Sequence, residues 1–344
     1  MASIQTPFSR LLSIELPIVQ APIGSATCPA LAAAVSEAGG LGMLAMSWRD
    51  IDEIREIIRE TRELTIRPFG VNLVLEWPQH ERLQACLEEG VKIVSFFWGD
   101  PVPYIQAAHG AGAIVIHTVG SAAEARRSVD RGVDVIVAQG WEAGGHVWGE
   151  VASLPLIPQI VDAVAPVPVV AAGGIADGRG LAAALMLGAS GIWMGTRFLA
   201  SKEAAVHPLY KEKVLQAAEV DAVYCRLFDI GWPNAPHRVL RNSTVSCWEA
   251  AGCPPSDHRP GEGEVAFFDP AEVLSVIREA RKETVELIRS LTNDQLRRTG
   301  VFDGYGHLTV KGLIHYLCSH DQQHLAGMQW LLGKIESHGA LESG

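Results

Sequence analysis

The sequence predicts an α/β fold, a (β/α)8 TIM barrel carrying a C-terminal two-helix extension, and three observations predict it. Short runs rich in Val, Ile and Leu alternate with longer Ala-rich and charged stretches from residue 17 to about 217, the pattern of a parallel sheet with crossover helices. Glycine-rich turns follow the sixth, seventh and eighth of these runs, and the first is followed by APIGSATCP without a GxGxxG fingerprint. An open dinucleotide-binding sheet would place its phosphate loop after the first strand, whereas a barrel uses its late strands. After residue 268 the composition changes to helical patterns alone.

The strand segments, in order, are 17–20, 41–45, 69–73, 93–97, 113–117, 134–138, 167–171 and 192–194. Helical periodicity fills the intervals at 29–38, 51–61, 79–88, 103–109, 121–131, 154–164 and 179–187. Residues 218–268 interleave Pro, Gly, Trp and Arg with no clean period and read as an excursion packed on the barrel. The reading therefore divides the chain into a barrel domain, 1–268, and a helical domain, 269–344.

Of the 344 residues 48% are hydrophobic and 34 are glycine, as in a well-packed globular protein with many tight turns. A net charge of −11 argues against nucleic acid and anionic membranes as partners and leaves a small molecule as the expected ligand. Cys28, Cys86, Cys225, Cys247, Cys253 and Cys318 show no short paired spacing, so reduced thiols in a cytoplasmic protein are expected. No basic region leads into an apolar run at the N-terminus, and no stretch of about 18 apolar residues occurs, so neither a processed leader nor a membrane span is expected.

Three late loops carry the chemistry. Gly173 and Gly174 let the backbone approach a ligand, Asp177-Gly178 opens a helix whose amides could face an anion, and Gly195-Thr196 offers an opposing wall. Two such loops at the late strands predict a phosphate cup, although each alone could be a tight turn. The loop QGWEAGGH places His146 behind a glycine pair at the catalytic end, where imidazole can act as a base or, protonated, hold an anion. His109, His117 and His207 read as structural. Trp98, Trp148 and Trp193 fall near strand ends or late loops, either shaping an apolar pocket or sealing layers of the barrel.

The segments PIVQAPI, FGVNL, AQGWEAGGH, VVAAGGIADGRGLAAALMLGASGIWMGTRFLAS and LFDIGWPNAPHRVLRN resemble, in order, those of nitronate monooxygenases, formerly called 2-nitropropane dioxygenases, over residues 7–266. The resemblance implies noncovalent FMN, with the backbone of Ala21, Pro22 and Ile23 near the ring and Asn72 and Gln139 as polar contacts. It implies Gly144 and Gly145 lining the cofactor, phosphate contacts from Gly173, Gly174, Gly195 and Thr196, and His146 as the catalytic histidine. The implied reaction oxidises alkyl nitronates with O2 to a carbonyl compound and nitrite, and the flavin carries the redox chemistry. The residues themselves leave open an NAD(P)H-dependent flavin enoyl reductase. A flavin-carrying sensor whose helices bind a partner is a third reading, which has no evident need for His146. Members of this subgroup continue beyond RPGEGEV into a segment that returns to the flavin, whereas here Ala266-Phe267-Phe268 enters the helical part, so the resemblance leaves open what covers the barrel mouth and which substrates fit.

Residues 270–291 and 309–332 each present one apolar stripe, and two helices alone bury too little surface for an independent domain. Residues 269–333 resemble the C-terminal half of DinB-like four-helix bundles, whose HDxxH helix supplies two of three metal histidines. His320 and His324 occupy those positions, and the half bearing the third histidine is absent, with His307 or His315 as conceivable substitutes. The expectation is no metal and a packing element, with a homodimer through these helices as one outcome.

Overall fold

The computed structural model of the chain describes residues 4–253 apart from 229–231, 233 and 251, and beyond them 258–259, 263–264, 282, 286, 289–290, 292, 299–302 and 306–309. The chain divides into two compact units, Met1–Ser256 and Asp257–Gly344.

In the first unit, helix α1 (Pro7–Leu11) precedes β1 (Ile18–Gln20), α2 (Pro29–Glu37), β2 (Gly42–Ala45), α3 (Ile51–Leu64), β3 (Phe69–Val74), α4 (His80–Glu88) and β4 (Ile93–Phe97). There follow α5 (Val102–Gly110), β5 (Ile114–Val119), α6 (Ala122–Asp130), β6 (Val135–Gln139), the two-residue β7 (Gly145–His146), α7 (Ser153–Val164), β8 (Val169–Ala172), α8 (Gly178–Met186) and β9 (Gly191–Met194). The eight-stranded parallel sheet runs β1-β9-β8-β6-β5-β4-β3-β2. A parallel bridge between Val19 and Leu41 joins its two ends, so the sheet closes into a barrel. All eight predicted strand segments are found, several lengthened, shortened or shifted by one or two residues at their ends.

Closure follows from the pleat. Alternate strand residues face either the lumen or the helices. Val19, Met43, Ile93, Val137, Val170 and Trp193 belong to an inner cluster with Phe8 and Leu12. Leu44, Val71, Val94, Ile136, Ala171 and Ile192 belong to an outer cluster with helix residues such as Ile54, Ile58 and Ile160. The helices start where side chains satisfy their first amides: Asp50 accepts from Glu53 N at 2.8 Å ahead of α3, and Ser121 accepts from Glu124 N at 3.3 Å ahead of α6.

Beyond β9 the chain forms α9 (Thr196–Leu199), α10 (Pro208–Gln216), β10 (Ala222–Cys225), β11 (His237–Leu240) and α11 (Ser243–Ala250). The aperiodic excursion is thus a small antiparallel sheet in the order β10-β11-β7. His237 pairs with His146 and Arg238 with Gly145, so the excursion is tied by backbone pairing to the loop after β6. That loop contains a strand because β11 supplies its partner, which no local pattern in residues 140–152 announces.

In the second unit the described residues include two antiparallel ladders, His258–Arg259 with Gly263–Glu264 and Thr299–Phe302 with Gly306–Thr309. Lys282, Glu286, Arg289 and Ser290 are helical, in keeping with the first predicted helix, most of which lies outside the described residues. Thr309, expected to open the second helix, is instead the last residue of a strand, because its backbone pairs with Thr299. The rest of that helix, with His315, His320 and His324, lies outside the described residues. Among the described residues no helix is long and apolar enough to cross a membrane.

Candidate functional site

Gln139, the buried last residue of β6, organises the loop that follows. Its amide nitrogen donates to His146 O at 3.0 Å and its carbonyl oxygen accepts from Trp148 N at 2.8 Å. Glu142 accepts from Ser153 N at 3.0 Å, capping α7, and Ser153 Oγ donates to Gly173 O at 3.2 Å in the next loop. A Cβ on Gly140 would lie 1.9 Å from Ser153 Oγ, so the close approach of these segments requires glycine there. The histidine loop is therefore fixed at several points, and only Gly145 (φ 71°) has open space where a Cβ would project.

The partly buried His146 ring stacks on Trp232, with centroids 3.8 Å apart and planes at 27°. Neither ring nitrogen has a hydrogen-bond partner among the described residues. Burial, and secondarily the neighbouring His237, push its pKa down to about 4. Of the two roles expected for it, base or imidazolium, the lowered pKa favours the neutral base. His237 is 3% exposed; its Nδ1 donates to Ala235 O at 2.9 Å and its Nε2 accepts from Phe228 N at 3.2 Å. Only an imidazole protonated at Nδ1 alone satisfies both bonds. His237 is thus held in place, its ring 5.4 Å from that of His146.

On the opposite side of the histidine loop, Gly173 (φ 104°) and Gly174 (φ 67°) adopt left-handed backbone conformations that favour glycine. A Cβ on Gly144 would lie 2.9 Å from Thr196 Oγ1, and one on Gly195 would lie 3.7 Å from Ala21 Cβ and 3.8 Å from Ile23 Cδ1. Ala21 N donates to Met194 O at 2.7 Å. Residues 21–23, 144, 195 and 196 are therefore brought together, and no side chain caps the first turn of α9, which starts at Thr196. Asn72, 5% exposed, has no hydrogen bond to its side-chain amide among the described residues. It stands in register with Ser95, whose buried hydroxyl is also unpartnered.

One expectation is corrected. The first amides of α8 do not await an anion, because Asp177 accepts from Arg179 N at 2.9 Å and Gly180 N at 3.4 Å. The same carboxylate pairs with the Arg179 guanidinium at 2.6 Å, and these bonds hold its pKa down at about 2. A helix-capping aspartate supplies the negative charge that a phosphate would have brought.

The histidines expected to be structural are so: His109 pairs with Asp134 at 3.0 Å, His117 bonds Ser128 Oγ at 2.9 Å, and His207 accepts from Leu209 N at 3.2 Å, capping α10. Trp193 packs in the inner barrel cluster, whereas Trp98 and Trp148 join an aromatic group with Trp77 and Trp232. Trp48, Trp77, Trp232 and His237 were not singled out from sequence. Trp48 and Trp77 stand just past β2 and β3, as Trp98 does past β4, so the same strand-end signal could have found them. A groove of about 550 Å3 lined by Arg55, His80, Glu88 and Tyr104 lies among the outer helices and includes none of the expected site residues. Among the described residues no group of three or more His, Cys, Asp or Glu is placed to hold a metal.

A closed barrel with glycine-rich late loops beside a buried neutral histidine is the framework of a flavin-dependent oxidoreductase. The chain matches the nitronate monooxygenase family over residues 5–260 and belongs to that family. It is 40% identical over 250 residues to the (3aS,4S,5R,7aS)-5-hydroxy-7a-methyl-1-oxo-octahydro-1H-indene-4-carboxyl-CoA dehydrogenase of Mycobacterium tuberculosis, covering 72% of this chain and 69% of that protein. It is 35% identical over 289 residues to a probable nitronate monooxygenase of Staphylococcus saprophyticus, covering 70% and 80%. Among solved structures, FabK from Thermotoga maritima is 42% identical with a TM-score of 0.68, covering 72% of this chain and 78% of that one. Nitroalkane oxidase from Streptomyces ansochromogenes is 31% identical with a TM-score of 0.65, covering 72% and 82%.

The DinB superfamily matches residues 218–328, a longer stretch than the expected 269–333. The two family matches overlap at 218–260. There the pairing of β10 and β11 with β7 assigns the segment up to Leu240 to the barrel unit.

Proposed function

We propose that the enzyme binds FMN at the barrel mouth and oxidises nitroalkanes or their nitronates with O2 to a carbonyl compound and nitrite. The observation that carries this reading is His146, a base of lowered pKa whose loop is held by Gln139 beside the glycine-rich late loops. The cradle suits the cofactor: the Ser95 hydroxyl is a buried polar group without a partner, and the neighbouring Asn72 amide makes no hydrogen bond among the described residues, so both await a ligand. In this reading the backbone of Ala21, Pro22 and Ile23 supports the ring, and Asn72, Gln139, Gly144 and Gly145 line it. Gly173, Gly174, Gly195 and Thr196 receive the phosphate through backbone amides. Bound there, the flavin supplies the electron-transfer chemistry.

His146 takes the proton from the carbon bearing the nitro group onto a ring nitrogen. The charge that develops on the nitro oxygens favours the imidazolium form, offsetting the depressed basicity of the buried ring. Gln139 keeps the imidazole in place through its two bonds to the loop backbone, and the tryptophans around it exclude water. A barrel domain at 1–268, a helical domain at 269–344, a cytoplasmic setting and pairing of two chains through the C-terminal helices belong to the same reading.

A second reading, an NAD(P)H-dependent flavin enzyme acting on an enoyl thioester, is favoured by the 40% identity to a dehydrogenase of a CoA thioester. The two separate in one cuvette. Anaerobic propyl-2-nitronate is expected to bleach the flavin absorbance of the purified protein, and air is expected to restore it with release of nitrite. Bleaching by NADPH but not by nitronate would transfer the assignment to the second reading, and a protein unable to take up FMN would overturn both.

A further inference from the structure

We propose that the substrate presents a flat, unsaturated or aromatic face to the tryptophans beside His146, and that Trp232 selects it. The proposal rests on the reading of His146 as the reacting centre.

Five of the nine tryptophans converge here from five separate segments. Around Trp232 stand Trp98 at 5.0 Å, Trp77 at 5.3 Å and Trp48 at 6.1 Å between ring centroids, and Trp148 stands 4.7 Å from Trp98. Most of these pairs meet edge to face, at 64–70°, the herringbone in which aromatic molecules pack with one another. The exception is Trp232 on His146, stacked nearly parallel at 3.8 Å. A flat ring presented to this group would extend the same packing, and a short alkyl chain would leave most of the aromatic surface uncovered.

The same indole is buried, 6% exposed, and its Nε1–H has no acceptor among the described residues. A buried donor without an acceptor is unfavourable; an oxygen of a bound substrate would satisfy it.

The test is binding of unreactive probes to the FMN-loaded enzyme, read by flavin absorbance and tryptophan fluorescence. 2-Naphthamide is expected to bind about tenfold or more tighter than hexanamide. Trp232→Ala is expected to erase most of the ring preference and Trp232→Phe to keep most of it. Equal affinity for 2-naphthamide and hexanamide in the unaltered enzyme would overturn the proposal whether or not the alanine variant folds, as would a preference surviving Trp232→Ala. Tighter binding of phenyltrimethylammonium than of the amide would mark a cation cage and also overturn it. Ring-selective binding without nitroalkane turnover supports the proposal while removing the assigned reaction; nitroethane turnover without ring selectivity does the reverse.

Discussion

Two walls of the barrel unit each hold a histidine whose pKa burial pushes down to about 4, His117 on β5 and His146 on β7. His117 faces α6, where its Nδ1 meets Ser128 Oγ at 2.9 Å, and Glu124 and Asp100 partly counter the effect of burial. His146 faces the mouth, with no hydrogen bond to its ring among the described residues and no carboxylate countering the effect of burial. Equal depression of basicity thus arises in a completed packing contact and in an incomplete site. Burial alone does not mark a catalytic group; a buried base whose partners are missing does.

The largest expected effect breaks this comparison directly. His146→Ala should retain FMN and lose about 100-fold or more of its turnover on neutral nitroalkanes, the usual worth of a positioned base. His117→Gln should leave turnover nearly unchanged while costing about 1–3 kcal/mol of stability through the abandoned Ser128 hydroxyl. Steady-state kinetics and urea unfolding of the two variants read both quantities. Comparable turnover losses would mean that the two walls do not differ as their surroundings imply.

Acid titration sharpens the comparison. Both rings titrate in the folded chain at about 4, below the ordinary value of 6.5, so as pH falls the unfolded chain takes up protons first. Their stabilisation is therefore complete above about pH 6.5 and is lost as pH falls from there toward 4, amounting to about 3 kcal/mol at His117. Unfolding midpoints at pH 7 and 4.5 should approach one another in His117→Gln. An unchanged difference would show that carboxylates, not this imidazole, set the acid limit.

The sequence made most of the barrel and one side of the site legible, because those features are local. Strand runs such as 93–97, the Gly173-Gly174 turn and the position of His146 can each be read within a dozen residues. The other side is built by non-local pairing. His237 and Trp232 reach His146 only because β11 adds to a two-residue strand some ninety positions earlier, and a two-residue strand has no periodicity to detect. Asp177 was misread for the opposite reason: the same Asp-Gly step signals an open helix start or a self-capped one, and the Arg179 that completes the cap sits two residues on.

A smaller effect is expected at Gly173, whose φ of 104° excludes other residues and where a Cβ would meet Gly140 O at 3.1 Å. Gly173→Ala should weaken FMN binding by about tenfold, corresponding to about 1–2 kcal/mol of backbone strain, with His146 chemistry retained at saturating FMN. Equilibrium dialysis reads the affinity, and unchanged affinity would remove this loop from the phosphate cup.

The smallest effect separates the two helix starts. Because Asp177 already occupies the first amides of α8, Asp177→Ala should cost about 1 kcal/mol of stability as a lost cap and leave FMN affinity almost unchanged. Phosphate recognition would then fall to the uncapped turn at Gly195-Thr196 and the paired glycines. A rise in FMN affinity would mean that the carboxylate had repelled the phosphate from nearby, and a fall of tenfold or more would mean that α8 belongs to the cup through Asp177. Either result would erase the distinction between a helix start that serves the fold and one left for a ligand.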